Sequence, residues 1–113
     1  MSVLVHAEVH GLAGRAKELR DVLLQHAAGL ARMDGNAGAT VYEPVGTELG
    51  EYVLDVWWRD EAAMRAHYGT GEYARYRDAV GELLARPSDV MVHVVERSYH
   101  PTDDPAHDPA RQG

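Results

Sequence analysis

Two groups of residues in this chain could do chemistry. The first lies in the stretch from Glu51 to Tyr76, EYVLDVWWRDEAAMRAHYGTGEYARY, where two tryptophans, an imidazole and several phenols fall close together. Trp58 could offer an indole wall that holds a flat ligand by shape. His67 could act as a base or a hydrogen-bond donor, since imidazole titrates near neutrality. Tyr73 and Tyr76, three residues apart, could hold ligand oxygens, and Leu54 and Met64 complete the expected contacts. Each of these also has a structural reading. A tryptophan ending a central strand serves as core, a histidine closing a helix interacts with the helix dipole, and Tyr73 and Tyr76 share a helix side with Val80 and Leu83. Tyr42 and Tyr52, on two strands, are undecided.

The second group is His6, Glu8 and His10 on one face of the first strand, with His93 on the last strand as a neighbour. Alternate strand positions project in parallel, so these side chains could ligate zinc or iron. They could equally form a buried polar network, and that reading is taken, with no metal assigned. Nucleophile-elbow, phosphate-loop and zinc-finger patterns are absent. So is cysteine, which excludes disulfides, thiolate ligands and cysteine nucleophiles.

These residues need elements to position them. Val3, Val5, Ala7 and Val9 alternate with Leu4, His6, Glu8 and His10, which predicts a strand with one apolar face. Ala16, Leu19, Leu23, Ala27, Leu30 and Met33 recur at helical spacing and predict a helix from Arg15 to Met33, stopped by Asp34-Gly35-Asn36. Ala39 to Val45 is a second strand whose Pro44 points to an edge or a bulge. Tyr52 to Trp58 is a third strand, the most apolar and so expected at the centre. Asp60 is an N-cap for a helix from Glu61 to His67. After Gly69-Thr70-Gly71, a helix from Glu72 ends before Pro87. Asp89 to Tyr99 is a fourth strand.

The order β-α-β-β-α-β, with its second helical segment broken in two, is the ferredoxin-like α+β unit. It predicts a four-stranded antiparallel sheet with helices on one face only. Leu4, His6, Val53, Trp57, Met91 and Val95 fall on the other face, which is too apolar for open water. A second copy is the simplest cover, so a homodimer is expected.

The 113 residues suit one domain, assigned to 1–100, with the proline- and aspartate-rich segment from Pro101 read as a disordered tail. The formal net charge is −7, of which the tail carries −2. An acidic body argues against nucleic acid and against anionic membrane surfaces. The N-terminus has no basic lead or long apolar run, and a cytoplasmic location is expected.

Trp58-Arg59-Asp60-Glu61-Ala62-Ala63-Met64-Arg65-Ala66-His67, the glycine turn before the long helix, and Pro87 to His93 resemble the antibiotic biosynthesis monooxygenase domain family in order and spacing. The resemblance spans Val3 to Tyr99. It implies a dimeric α+β barrel and a cofactor-free oxygenase acting on an aromatic phenol, quinol or polyketide-type molecule. In such a reaction the substrate loses a proton and its electron-rich anion reacts with oxygen directly. The protein supplies a base and a dry pocket, with His67 and Trp58 as the catalytic candidates and no cofactor. The family also implies alternatives, namely a non-catalytic module binding an aromatic ligand and a haem-degrading protein. Its polyketide oxygenases place an asparagine at the position of Leu54, or of Val53 if Trp57 is the counterpart. Its haem-degrading branch places one near Ala7.

Overall fold

The computed structural model describes residues 1–101. The strands are β1 (Ser2–His10), β2 (Asn36–Tyr42), β3 (Glu51–Trp58) and β4 (Asp89–Val95), and the helices are α1 (Ala16–Leu30), α2 (Glu61–Tyr68) and α3 (Gly71–Gly81). They run β1-α1-β2-β3-α2-α3-β4 and give one antiparallel sheet in the order β2-β3-β1-β4. This is the expected ferredoxin-like α+β arrangement, with the apolar β3 inside the sheet.

Period-two alternation on β1 and β3 decides the two faces of the sheet. Val3, Val5, Ala7 and Val9, with Tyr52, Leu54, Val56 and Trp58, turn to the helices and are buried against Leu19, Leu23, Ala27 and Leu30 of α1. Each buried leucine contributes roughly 1.5–3 kcal/mol by leaving water. The register Leu4↔Trp57, His6↔Asp55 and Glu8↔Val53 sets the opposite residues on the bare face. Met91, His93 and Val95 of β4 join them through His6↔Met91, Leu4↔His93 and Ser2↔Val95. On the edge strand β4 the helix side is uncovered too. Val90, Val92 and Val94 are 54%, 42% and 49% exposed there, and Met91 is 58% exposed on the bare side.

Several element ends differ from expectation. The third helix stops at Gly81 instead of running towards Pro87. Glycine weakens a helix, and the following backbone finds other partners. Leu12 N donates to Leu83 O and Ala85 N to His10 O, both at 2.8 Å. The second strand begins at Asn36, three residues early, because Asn36 and Gly38 pair with Trp58 and Trp57 across a bulge. Pro44 therefore lies beyond the strand. The fourth strand ends at Val95, opposite Ser2, where β1 begins and offers no further partner. The tail expected from Pro101 lies, apart from Pro101 itself, outside the described residues. No helix among the described residues is long and apolar enough to cross a membrane.

Candidate active site

The turn after β3 and the break between α2 and α3 position the aromatic residues. Asp60 caps α2 by accepting from Ala63 N at 2.9 Å, and that bond chiefly holds its carboxyl below the usual range. Thr70 joins the two short helices: its hydroxyl donates to His67 O at 2.7 Å and accepts from Tyr73 N at 3.1 Å. Gly35, at φ +80°, lets the chain pass under α2, where its carbonyl accepts from Arg59 N at 2.7 Å. Trp58 is thereby brought under His67, with ring centroids 5.2 Å apart and 29° between planes. Tyr73 meets the same imidazole edge-on at 5.1 Å, and Tyr68 meets Tyr73 at 4.9 Å.

A cavity of about 310 Å³ lies between this cluster and the sheet, within the size range of small-molecule sites. Its floor is Val5, Ala7, Leu54 and Val56; the helices contribute His26, His67, Tyr68, Tyr73 and Tyr76. Among the described residues, Arg77 is the one permanent cation of the lining, which has no carboxylate there. Ala7 and Leu54 are cross-strand partners. The two positions where the family resemblance would place an asparagine thus meet on this floor, and both are apolar. Polar chemistry here has to come from the helix side.

Trp58 and His67 also line a second space, of about 480 Å³, with Met33, Thr70 and Arg75. The indole–imidazole stack is therefore a partition between two hollows. His67 is only 6% exposed, and its Nδ1 has no hydrogen-bond partner among the described residues. Leaving such a group unpaired costs about 1–3 kcal/mol, and since that nitrogen is itself closed off, a ligand in the cavity meets the ring through its other atoms. Burial lowers the pKa of His67 from its ordinary value, with Glu72 opposing, so the ring is neutral at pH 7 and free to accept a proton. Burial likewise pushes the Tyr76 phenol up to about 12 and raises Tyr68, leaving both as hydrogen-bond donors.

Of the residues singled out in the sequence, Trp58, His67, Leu54, Tyr73 and Tyr76 come together around the cavity. Met64 does not join them: it is 7% exposed and packs in the core. His26 was not foreseen. It stacks flat on Tyr76 at 3.6 Å and 7°, and its centroid is 5.7 Å from that of His67. Burial, then the charge of His67, lowers its pKa to about 4. The signal was legible, since His26 lies three residues after Leu23 and four before Leu30 on the buried side of α1.

The second group divides. His6 pairs with Asp55 at 2.6 Å. His10 sits between Glu51, at 2.6 Å from Nδ1, and Asp89, at 3.0 Å from Nε2, and these two hydrogen bonds, Asp89 first, raise its pKa. One donor atom each from Glu8, His10 and Asp89 lies within 4.8 Å of the others. His93 is across from Leu4 and outside this group. The arrangement is a polar network in which carboxylates already hold both nitrogens of His10.

Known proteins are similar to this chain in sequence and in fold. A Bacillus subtilis protein named "Putative monooxygenase YcnE" is 35% identical over 78 residues, covering 66% of this chain and 81% of YcnE. Rv0793 of Mycobacterium tuberculosis, also named as a "Putative monooxygenase", is 41% identical over 59 residues, or 52% of this chain and 56% of its own. The solved structure of Rv0793 superposes with a TM-score of 0.80 at 30% identity, covering 88% of this chain and 100% of that one. A Deinococcus radiodurans structure, 20% identical, reaches the same TM-score over 87% of this chain and 96% of its own and attests the fold alone. The model of the family described as antibiotic biosynthesis monooxygenase matches residues 2–79. With a match over well over half its length, this chain belongs to the antibiotic biosynthesis monooxygenase family.

Proposed function

We propose that this protein is a cofactor-independent monooxygenase acting on a flat phenol, quinol or polyketide-type aromatic. One observation carries the reading: a mostly buried, neutral imidazole stacked on Trp58 at the wall of a mostly apolar cavity. His67 takes a proton from the acidic O–H or C–H of the bound substrate. The carbanion or phenolate passes electrons to dioxygen, one oxygen atom enters the ring as a carbonyl, and the other leaves as water. For a ring methylene this balances as CH2 plus O2 giving C=O plus H2O. Trp58 orients the ring plane, Leu54 excludes water from below, and Tyr73 and Tyr76 face the substrate oxygens. Pre-positioning and desolvation are the protein's contributions.

Oxygen uptake with a panel of anthrones and hydroquinones tests this reading. His67→Gln should lower turnover by roughly a hundredfold or more, the usual worth of a general base. Trp58→Phe, which keeps a ring in a fully buried position, should raise KM more than it lowers kcat. Ligand binding without oxygen uptake would instead mark a non-catalytic module. The assembly belongs to the same proposal. Apolar side chains exposed on both sides of β4, with Trp57 and Leu4 on the bare face, support a homodimer in which a second copy covers this surface.

A further inference from the structure

The chain carries 18 acidic residues against 11 Lys and Arg, and three of its hollows reflect that excess. Among the described residues, the space beside Thr70 holds Arg75 together with Asp34 and Glu72. A groove between α1 and α3 holds Arg75 with Glu72, and a hollow beside His6 and His10 holds Arg86 with Glu48 and Glu51. Each arginine there shares its hollow with a carboxylate. The cavity under His67 is different, because it holds Arg77 and, among the described residues, no carboxylate. Nor does any described carboxylate form an ion pair with Arg77, whereas Arg15, Arg59 and Arg65 each meet one.

Arg77 lies one turn beyond Tyr73 on α3, on the far side from α2. It is exposed where Tyr73 and Tyr76 are half-buried, so its guanidinium stands at the mouth of the cavity. The guanidinium carbon lies over the Tyr73 ring, 5.9 Å from its centroid, within the range of a cation–π contact. The same ring meets His67 edge-on at 5.1 Å. One tyrosine therefore touches both the candidate base and the cation. We propose that Arg77 selects substrates that bear a carboxylate, holding that group at the mouth while the aromatic ring lies inward against Trp58 and His67. The inference names a substrate class for the oxygenase reading of this cavity and rests on that reading.

A guanidinium presents a planar fork that binds a carboxylate through two parallel N–H bonds. The floor of Val5, Ala7, Leu54 and Val56 offers a charged group nothing in return for its lost hydration. The carboxylate therefore stays with Arg77 and solvent, and the ring enters first. That fixes one orientation of the substrate and sets which part of the ring reaches His67. The net charge of −7 repels anions at long range, so the selection has to come from a contact.

Anthraquinone-2-carboxylate and anthraquinone-2-carboxamide share one flat ring system, cannot undergo the proposed oxidation, and differ in charge. In calorimetric titration the wild type should bind the carboxylate about five- to tenfold more tightly, and the ratio should shrink as salt is added. Arg77→Gln should bring the ratio close to one. Arg77→Lys, which keeps the charge without the fork, should fall between. A merely structural loss of packing on Tyr73 would weaken both ligands alike and leave the ratio where it was. In oxygen uptake, 2,5-dihydroxyphenylacetate should lose its advantage in kcat/KM over the matching amide by the same factor in Arg77→Gln, through KM. A wild-type ratio near one, or a ratio unmoved in Arg77→Gln, would overturn the assignment. Selective binding with no oxygen uptake on any substrate would remove the oxygenase reading and leave Arg77 as the carboxylate contact. Oxygen uptake without selective binding would do the reverse.

Discussion

Acidification should destabilise the fold through His26, and the size of the effect follows from its burial. Its pKa of about 4 stands against an ordinary value of 6.5. A group whose folded pKa is depressed binds fewer protons in the folded state between those two values. Stability is then lost as pH falls from 6.5 towards 4, and the loss levels off below. Worked through the linkage relation, His26 costs about 2 kcal/mol at pH 5 and about 3 kcal/mol at pH 4, relative to neutral pH. His67 adds to the same trend, since burial lowers its pKa as well. His10 acts in the opposite direction, because Asp89 and Glu51 raise its pKa. The clean quantity is therefore a difference between two proteins. Urea unfolding of wild type and His26→Gln should be measured at half-unit steps from pH 7.5 to 4. The lost stack on Tyr76 shifts the variant by a constant amount, and groups common to both proteins cancel. The gap should close, or reverse, by about 2 kcal/mol between pH 7 and 5. A gap that stays constant with pH would refute the argument that burial keeps this imidazole neutral.

Other expectations follow from single contacts. Thr70→Ala removes the cap of α3 and the bond to His67 O, and should cost about 1–2 kcal/mol in chemical denaturation. Gly35→Ala places a Cβ 2.6 Å from Ala63 Cβ at a positive φ and should cost about 2–4 kcal/mol, read as a lowered urea midpoint. His10→Gln should be less stable than wild type at acid pH, and the gap should narrow as pH rises through the raised pKa of His10. An unchanging gap would show that Asp89 and Glu51 do not hold a proton on that ring. Sedimentation at micromolar concentration should give twice the 12.4 kDa chain mass, and a monomer would remove the proposed cover of the bare face.

The alternation of β1 and β3 and the helical spacing from Leu19 to Leu30 settled the order of elements and which face each strand buries, because side-chain period follows directly from backbone geometry. They also separated Trp58 from Trp57, and the local order of Asp60, His67 and Thr70 placed the candidate site at the end of β3. The ends of α3 and β2 were not legible, because Gly81 and Asn36 were decided by partners distant in sequence, Gly11 to Leu12 and Trp57 to Trp58. His26 belongs to the same class. Its spacing on α1 marked a half-buried position, but only the packing of α1 against α2 and α3 gives it a second imidazole 5.7 Å away. Met64 shows the reverse, a residue within the right stretch that the turn of α2 directs into the core. Residue types and local periodicity act over a few positions and fix the elements. Which side chains share a cavity depends on contacts between elements, and so the tertiary structure alone could bring His26 of α1 beside His67 of α2.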